Sequence, residues 1–292
     1  MKGRVIKNIA DKFSVVAGGV VYENCMARGN LKQNGKVLVG DIVECEIVQD
    51  GLVIVKIEKR KNEFIRPPIS NIDVMLIVIS EVPSPDFLLV DKLILNCKVK
   101  NVIPIIVINK EDLISTTFVD SVREFYKDSG IDVILVSALT SFGKSQLLNL
   151  IKGKVVCLVG QSAVGKSSLL NMIFKINTKT DEISKKSNRG KNTTRHAQIH
   201  FTKSDDLYLA DTAGFSKFDA LEIPYNKIEL YYDEFDKYRD LCKYKPCSHI
   251  FEKDCDCAVK NALKTCNINK NRYNNYKEIY LIVKKNWENR YE

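Results

Sequence analysis

The sequence predicts an α/β fold: a parallel sheet with helices on both faces, a small β-barrel before it, and a helical, cysteine-bearing unit after it. Three observations carry this. From Asn71 to about Phe218, apolar runs such as "VMLIVIS" and "VIPIIVI" alternate with helix-like stretches, as in βα units whose strands are buried on both faces. From Gly3 to about Lys61, short β-like runs ("FSVVAG", "GVVYENCMARGNL", "GDIVECEIV", "GLVIVKIEK") are separated by Gly, Asn and Asp. From about Pro224 the chain is charged and Tyr-rich, and five of its nine cysteines crowd between 242 and 266.

Five short strands in about sixty residues suit an OB-like barrel, a fold often used for oligonucleotides. "RPP" at 66–68 predicts a stiff linker, since proline restricts itself and the residue before it. Strands are expected at 73–79, 103–108, 132–136, 154–159, 197–202 and 207–210, and helices near 86–98, 117–129, 144–152 and 166–175. These segments give three units: a barrel at 1–66, a sheet domain at 67–222 and a helical tail at 223–292.

Hydrophobic residues at 45% and charged residues at 28% are what a soluble globular chain carries. The N-terminus "MKGRVIKNIADKF" has no apolar stretch or cleavage site of a secretion signal, and no apolar run is long enough to span a bilayer. A cytoplasmic, non-membrane location is therefore expected. There, nine cysteines argue against disulfides. Cys25, Cys45, Cys97 and Cys157, scattered through apolar segments, are expected as small buried residues, and so is Cys266.

The net charge of +9 is unevenly spread. Twelve Lys and Arg face eight acids in 1–66, eight face three in 259–292, and "SKKSNRGKNTTRH" (184–196) has five basic residues and no acid. Such clustering points toward nucleic acid.

The sheet domain carries its chemistry in "VVCLVGQSAVGKSSLLN", a strand, a glycine-bounded loop and a helix start matching G-x-x-x-x-G-K-[ST]. The backbone of Gly160, Gln161, Ser162, Ala163, Val164 and Gly165 is expected to cradle phosphates, aided by the following helix N-terminus. Lys166 would reach the β- and γ-phosphates, Ser167 would ligate Mg²⁺, and Ser168 is the next nucleotide-contacting position. "LYLADTAGF" ends a strand in D-x-x-G: Asp211 would hold Mg²⁺ through water, and the Gly214 N–H would sense the γ-phosphate. Thr193 or Thr194 would close on Mg²⁺ and the γ-phosphate.

Guanine specificity rests on "VINKEDL". The Asp112 carboxylate can accept both N1–H and the N2 amine of guanine, a donor pair adenine lacks. Asn109 would fix the loop and touch the base edge, and the Lys110 stem would cover the ring face. "VILVSAL" ends a strand at Ser137 and Ala138, where a backbone N–H can meet the guanine O6.

The base motif thus precedes the phosphate loop, the reverse of the usual order. The site tolerates this because every loop sits on one edge of one sheet. If the original domain ends lie close together, joining them and cutting elsewhere leaves that edge intact. The join would be 140–154, and the cut falls after Gly214.

With barrel, permuted motifs and cysteine tail in place, nearly the whole chain resembles the circularly permuted, small-ribosomal-subunit-dependent GTPases of bacteria (ribosome biogenesis GTPase A). "NRGKNTTRH" and the C-x-H-x-x-E of "CSHIFE" add to the likeness. The resemblance implies an α/β P-loop GTPase domain with a circularly permuted parallel sheet, an N-terminal OB-like barrel and a C-terminal helical zinc-binding domain. It also implies GTP hydrolysis stimulated by the small ribosomal subunit, contact with 16S rRNA, and a role in late assembly; a monomer is expected. Asn192 stands where the family usually carries a histidine, and Phe215 where Ras-like enzymes place a water-orienting glutamine.

In "LCKYKPCSHIFEKDCDCAVK", Cys242, Cys247, His249 and Cys255 are spaced as a closed, structural Cys₃His zinc site would be, one ion per chain. Spacing from His249 favours Cys255 as fourth ligand. Phase with the downstream sequence, as in the family, favours Cys257; Cys255 is preferred. His196 and His200 fall outside the cluster, as strand or switch residues. The competing function is a non-catalytic, GTP-dependent RNA-binding scaffold with the same metal site.

Overall fold

The computed structural model describes residues 1–32, 36–48, 51–65, 67–174, 198–203, 206–211 and 223–289. It opens with β1 (Lys2–Ile9), β2 (Lys12–Ala17), β3 (Val20–Ala27), β4 (Ile42–Val48) and β5 (Gly51–Ile57). These pair in the order β1-β2-β3-β5-β4, and β4 returns to β1 to close the barrel. Strand alternation turns Val5, Val15, Cys25, Val43, Cys45 and Ile54 into its core.

Where the sequence suggests a stiff linker, the chain makes a small ribbon: β6 (Glu63–Phe64) pairs with β7 (Ile69–Ser70). Phe64, Ile69 and Ile72 are apolar enough to join the main core, which fastens the exit from the barrel. Arg60 reinforces it with a two-pronged bond to the buried Asp41 carboxylate, at 2.7 and 2.8 Å.

The central sheet contains β8 (Val74–Ile79), β9 (Ile103–Ile108), β10 (Asp132–Leu135), β11 (Val155–Val159), β12 (Gln198–Thr202) and β13 (Leu207–Asp211) in the order β10-β9-β8-β11-β13-β12. All neighbours are parallel except β12, which runs antiparallel to β13. The expectation of βα alternation misses this, because only four residues separate β12 from β13, far too few for the crossover that parallel pairing needs. Helices α1 (Phe87–Val99) and α2 (Thr116–Phe125) cover one face, and α3 (Lys144–Ile151) and α4 (Lys166–Phe174) the other. Although β8 is apolar throughout, its period of two still sorts it. Met75, Ile77 and Ile79 meet α1 and α2, while Leu76 and Val78 meet α3 and α4. Helix α2 stops short of the expected 129, as Asp128 and Gly130 turn to positive φ (62° and 68°).

Barrel and central sheet are continuous. β1 pairs antiparallel with β12 at Lys7↔Gln198, giving one eleven-stranded sheet.

The tail holds a 3₁₀ segment (Tyr225–Tyr231), α5 (Asp236–Arg239), α6 (Ala258–Lys264) and α7 (Lys270–Glu288). Asn269 caps α7, its side-chain oxygen accepting from the N–H groups of Asn271 and Arg272. The tail's own core includes Tyr232, Phe235, Val259, Tyr276 and Ile279, and it takes in Leu95 from α1. A buried polar knot lies at this junction. Arg272, only 2% exposed, pairs with Asp91 of α1 and with Glu234, the latter at 2.8 Å. Asn275 and Tyr126 also donate to the Asp91 carboxylate, at 2.7 and 3.0 Å. Burial pushes the Asp91 carboxyl pKa up, against the pull of Arg272. Among the described residues, no helix is long and apolar enough to cross a membrane.

Candidate nucleotide site and metal centre

Because β10, β9, β8, β11 and β13 are parallel, their carboxyl ends share one edge, and the predicted motifs gather there. Asn109 and Lys110 follow β9, Ser137 and Ala138 follow β10, the Gly160 loop joins β11 to α4, and Asp211 ends β13. Two glycines are required by close approach. A Cβ on Gly160 (φ +138°) would stand 2.2 Å from the Val78 carbonyl oxygen, and one on Gly165 (φ +95°) 2.2 Å from Asn109 Nδ2. The bare Gly165 lets the base motif reach the phosphate loop.

Asn109 joins the two halves of the site. It is 1% exposed; its Nδ2 donates to the Val164 carbonyl (2.9 Å) and its Oδ1 accepts from the Ala138 N–H (3.1 Å). Asp112 is exposed, and the buried Ser137 hydroxyl donates to its Oδ1 at 2.5 Å, which orients the carboxylate. Lys110 adopts φ 70° and donates through Nζ to the Val82 carbonyl (2.8 Å). Lys166 folds over the phosphate loop, its Nζ donating to the carbonyls of Gly160 (2.7 Å) and Gln161 (2.5 Å). Gln161 in turn accepts the Asp86 N–H at the start of α1 (3.1 Å). Ser162, Ala163, Ser167 and Ser168 are exposed along this rim, and Val164 packs into the core beneath. Thr193, Thr194, Gly214, Asn192 and Phe215 lie outside the described residues, as does the side chain of Asp211.

A cleft of about 290 Å³ runs between the Ala138 loop and α4. It is lined by Ala138 and Ser168, and by Leu139, Ser141, Lys144 and Asn171, which the sequence reading did not single out. Leu139 follows the Ser-Ala pair directly and is 83% exposed. An apolar residue directly after the expected Ser137–Ala138 pair was the available signal.

In the tail, the ligand atoms of Cys242, Cys247, His249 and Cys257 all lie within 4.8 Å of one another. Cys242 Sγ is 3.9 Å from Cys257 Sγ, and these sulfurs stand 3.6 and 3.5 Å from His249 Nδ1. A tetrahedron with Zn–S bonds of about 2.3 Å has edges of about 3.8 Å, so the donor set fits that ion. Burial pushes the Cys247 and Cys257 thiols up, a penalty that a bound cation would offset by holding thiolates. The preference for Cys255 is thereby corrected. Cys255 sits in the 3₁₀ turn Asp254–Asp256 and is exposed, whereas Cys257 precedes α6, whose Val259 and Ala262 fix that face inward. Cys266, expected to be buried, is exposed at a positive-φ turn (57°) after α6. Glu252 shapes the knuckle, accepting from the N–H groups of Ser248 (2.7 Å) and Ile250 (3.1 Å).

The comparisons agree with this geometry. The family model for the RsgA GTPase matches residues 57–221, and that for the RsgA N-terminal domain matches 2–55. This chain belongs to the RsgA GTPase family. It is 38% identical to the small ribosomal subunit biogenesis GTPase RsgA of Ruminiclostridium cellulolyticum, over 89% of this chain and 86% of that one. With the RsgA of Agathobacter rectalis the identity is 36%, over 97% and 98%. Among solved structures, YjeQ from Thermotoga maritima superposes with a TM-score of 0.81 at 28% identity, covering 97% of this chain and 98% of that one. YloQ, titled a circularly permuted GTPase, gives 0.80 at 29%, covering 98% and 95%. RsgA membership fits the reversed motif order, and the two matched models follow the barrel-then-sheet order of this chain.

Proposed function

We propose that this GTPase hydrolyses GTP while bound to the small ribosomal subunit, during that subunit's late assembly. The observation that carries the reading is Asn109, whose bond to Val164 spans 55 residues and joins the expected phosphate loop to the expected base-reading loop. Asp112 would read the guanine edge, with Ser137 and Ala138 closing on O6. The loop from Gly160 to Gly165 would hold the phosphates, with Lys166 leaving its loop carbonyls for the β- and γ-oxygens. Ser167 and Asp211, with Thr193 or Thr194, would hold Mg²⁺, which supplies charge neutralisation at the transferred phosphate. The Gly214 N–H would sense the γ-phosphate.

In the same reading, the units are 1–66, 67–222 and 223–292, the Cys₃His cluster holds one zinc, and a cytoplasmic monomer meets 16S rRNA through barrel and tail. The basic excess at both ends supports those contacts. The test is phosphate release from GTP with and without purified small subunits, with ATP as competitor. Slow turnover that rises with subunits and resists ATP is expected. No turnover above background in their presence would overturn hydrolysis and favour the GTP-dependent RNA-binding scaffold.

A further inference from the structure

His249 presents Nδ1 to the cysteine sulfurs, so its other nitrogen, Nε2, faces away from the cluster. That nitrogen is buried and has no hydrogen-bond partner. Glu229, from the 3₁₀ segment Tyr225–Tyr231, brings Oε2 to within 3.8 Å of it, and this oxygen too is buried without a hydrogen bond. Arg239 stands behind, with Nη1 3.3 Å from the same oxygen and Nη2 donating to the Tyr232 carbonyl at 3.2 Å. The Phe235 ring meets the imidazole edge-on at 5.6 Å, and His249 holds a left-handed backbone (φ 58°) whose carbonyl accepts from Tyr273 at 2.6 Å. Phe235 restrains one side of the imidazole, and the Glu229 carboxylate stands 3.8 Å from Nε2, a shift of less than about 1 Å from hydrogen-bond distance.

We infer that Glu229 is a positioning residue of the metal centre, accepting the Nε2–H of His249 and fixing the ring with Nδ1 toward the metal. The inference rests on the zinc reading of the Cys₃His cluster. A neutral imidazole that ligates through Nδ1 carries its proton on Nε2, and a buried N–H without an acceptor leaves its lost hydration uncompensated. A carboxylate there removes that cost, raises the ligand's basicity and ties the metal to the segment that opens the tail. Arg239 balances the carboxylate's charge and holds it in place.

The experiment uses the full chain and the variants Glu229→Ala and Glu229→Gln. Zinc affinity is measured by competition with a chromophoric chelator, and the His249 tautomer by ¹H–¹⁵N NMR of the zinc-loaded wild type. Glu229→Ala should weaken zinc by roughly 10–100-fold, the usual loss when an outer-shell partner is removed. Glu229→Gln, which keeps an acceptor, should lose less, and the wild-type spectrum should place the proton on Nε2. A merely structural ion pair with Arg239 would instead lower the unfolding midpoint of loaded and chelated chains alike. Equal lowering, unchanged zinc affinity, or a wild-type His249 bound through Nε2 would overturn the inference, the last without need of any variant. Wild-type protein that takes up no zinc would overturn the metal assignment itself, a separate failure.

Discussion

At the scale of single residues, the proposed function would divide base recognition between Asn109 as scaffold and Asp112 as contact. Asn109→Ala removes both hydrogen bonds that join the loops and leaves the Val164 carbonyl and Ala138 N–H without their partner. Urea unfolding should show a loss of about 1–3 kcal/mol for each buried group left unpaired, and GTP binding should fall with it. Asp112→Asn leaves the scaffold whole but turns a double acceptor into a mixed amide. GTP affinity should drop roughly a hundredfold or more, given two charge-assisted bonds at about 1.5–3 kcal/mol each. XTP should bind in its place, and unchanged GTP affinity would remove Asp112 from the base site. The place of both residues at the sheet edge was legible in the sequence because "NKED" directly follows an apolar strand. The bond from Asn109 to Val164 was not, since it spans 55 residues and depends on Gly165 having no Cβ. Cys255 and Cys257 show the same boundary. They lie two apart in a short turn, and only the start of α6 at Ala258 decides which one points inward.

At the scale of elements, the cysteine knuckle around His249 is built from turns and exposes aromatic rings. Phe251 and Tyr244 are exposed there, and apart from the 3₁₀ turn Asp254–Asp256 the segment from Cys242 to Cys257 is irregular. Zinc should therefore supply much of its order. Cys257→Ser should lose the ion and the tail's protection from proteolysis, while Cys255→Ser should keep both; metal analysis with limited digestion reads the difference. The reverse result would restore Cys255 as ligand. Long elements were well forecast because β8, β9 and β11 are continuous apolar runs bounded by turns. The antiparallel course of β12 was less visible, since "QIHFT" has strand character but carries no mark of direction.

At the scale of the whole molecule, the knot around Arg272 fastens the tail to α1. Arg272→Met would strand Asp91 and Glu234 as buried carboxylates, at a cost of about 3–5 kcal/mol. Hydrogen exchange should show α7 opening well before β8 and β9; uniform protection would mean that the knot adds little. Because the tail's base is held to α1, a nucleotide-driven change must act on the tail and α1 together. On the proposed function, subunits should bind more tightly with a non-hydrolysable GTP analogue than with GDP, more weakly at higher salt, and reciprocally tighten GTP. Equal affinity in both nucleotide states would leave hydrolysis without a switch.

The pairing of Lys7 with Gln198 has a practical consequence for anyone who shortens the chain. β12 is the last strand of the central sheet, and β1 meets its outer side at the first residue, Gln198. The opposite border, β10, is only four residues long and begins with Asp132, features that discourage intermolecular strand addition. β12 carries no Asp, Glu, Lys or Arg, and removing β1 also frees the end that Lys7 now pairs. A fragment beginning after residue 66 should therefore self-associate through β12 and precipitate at concentrations where the full chain stays dispersed, which light scattering would show. A charged substitution in β12 should restore its solubility without restoring the Lys7–Gln198 pair.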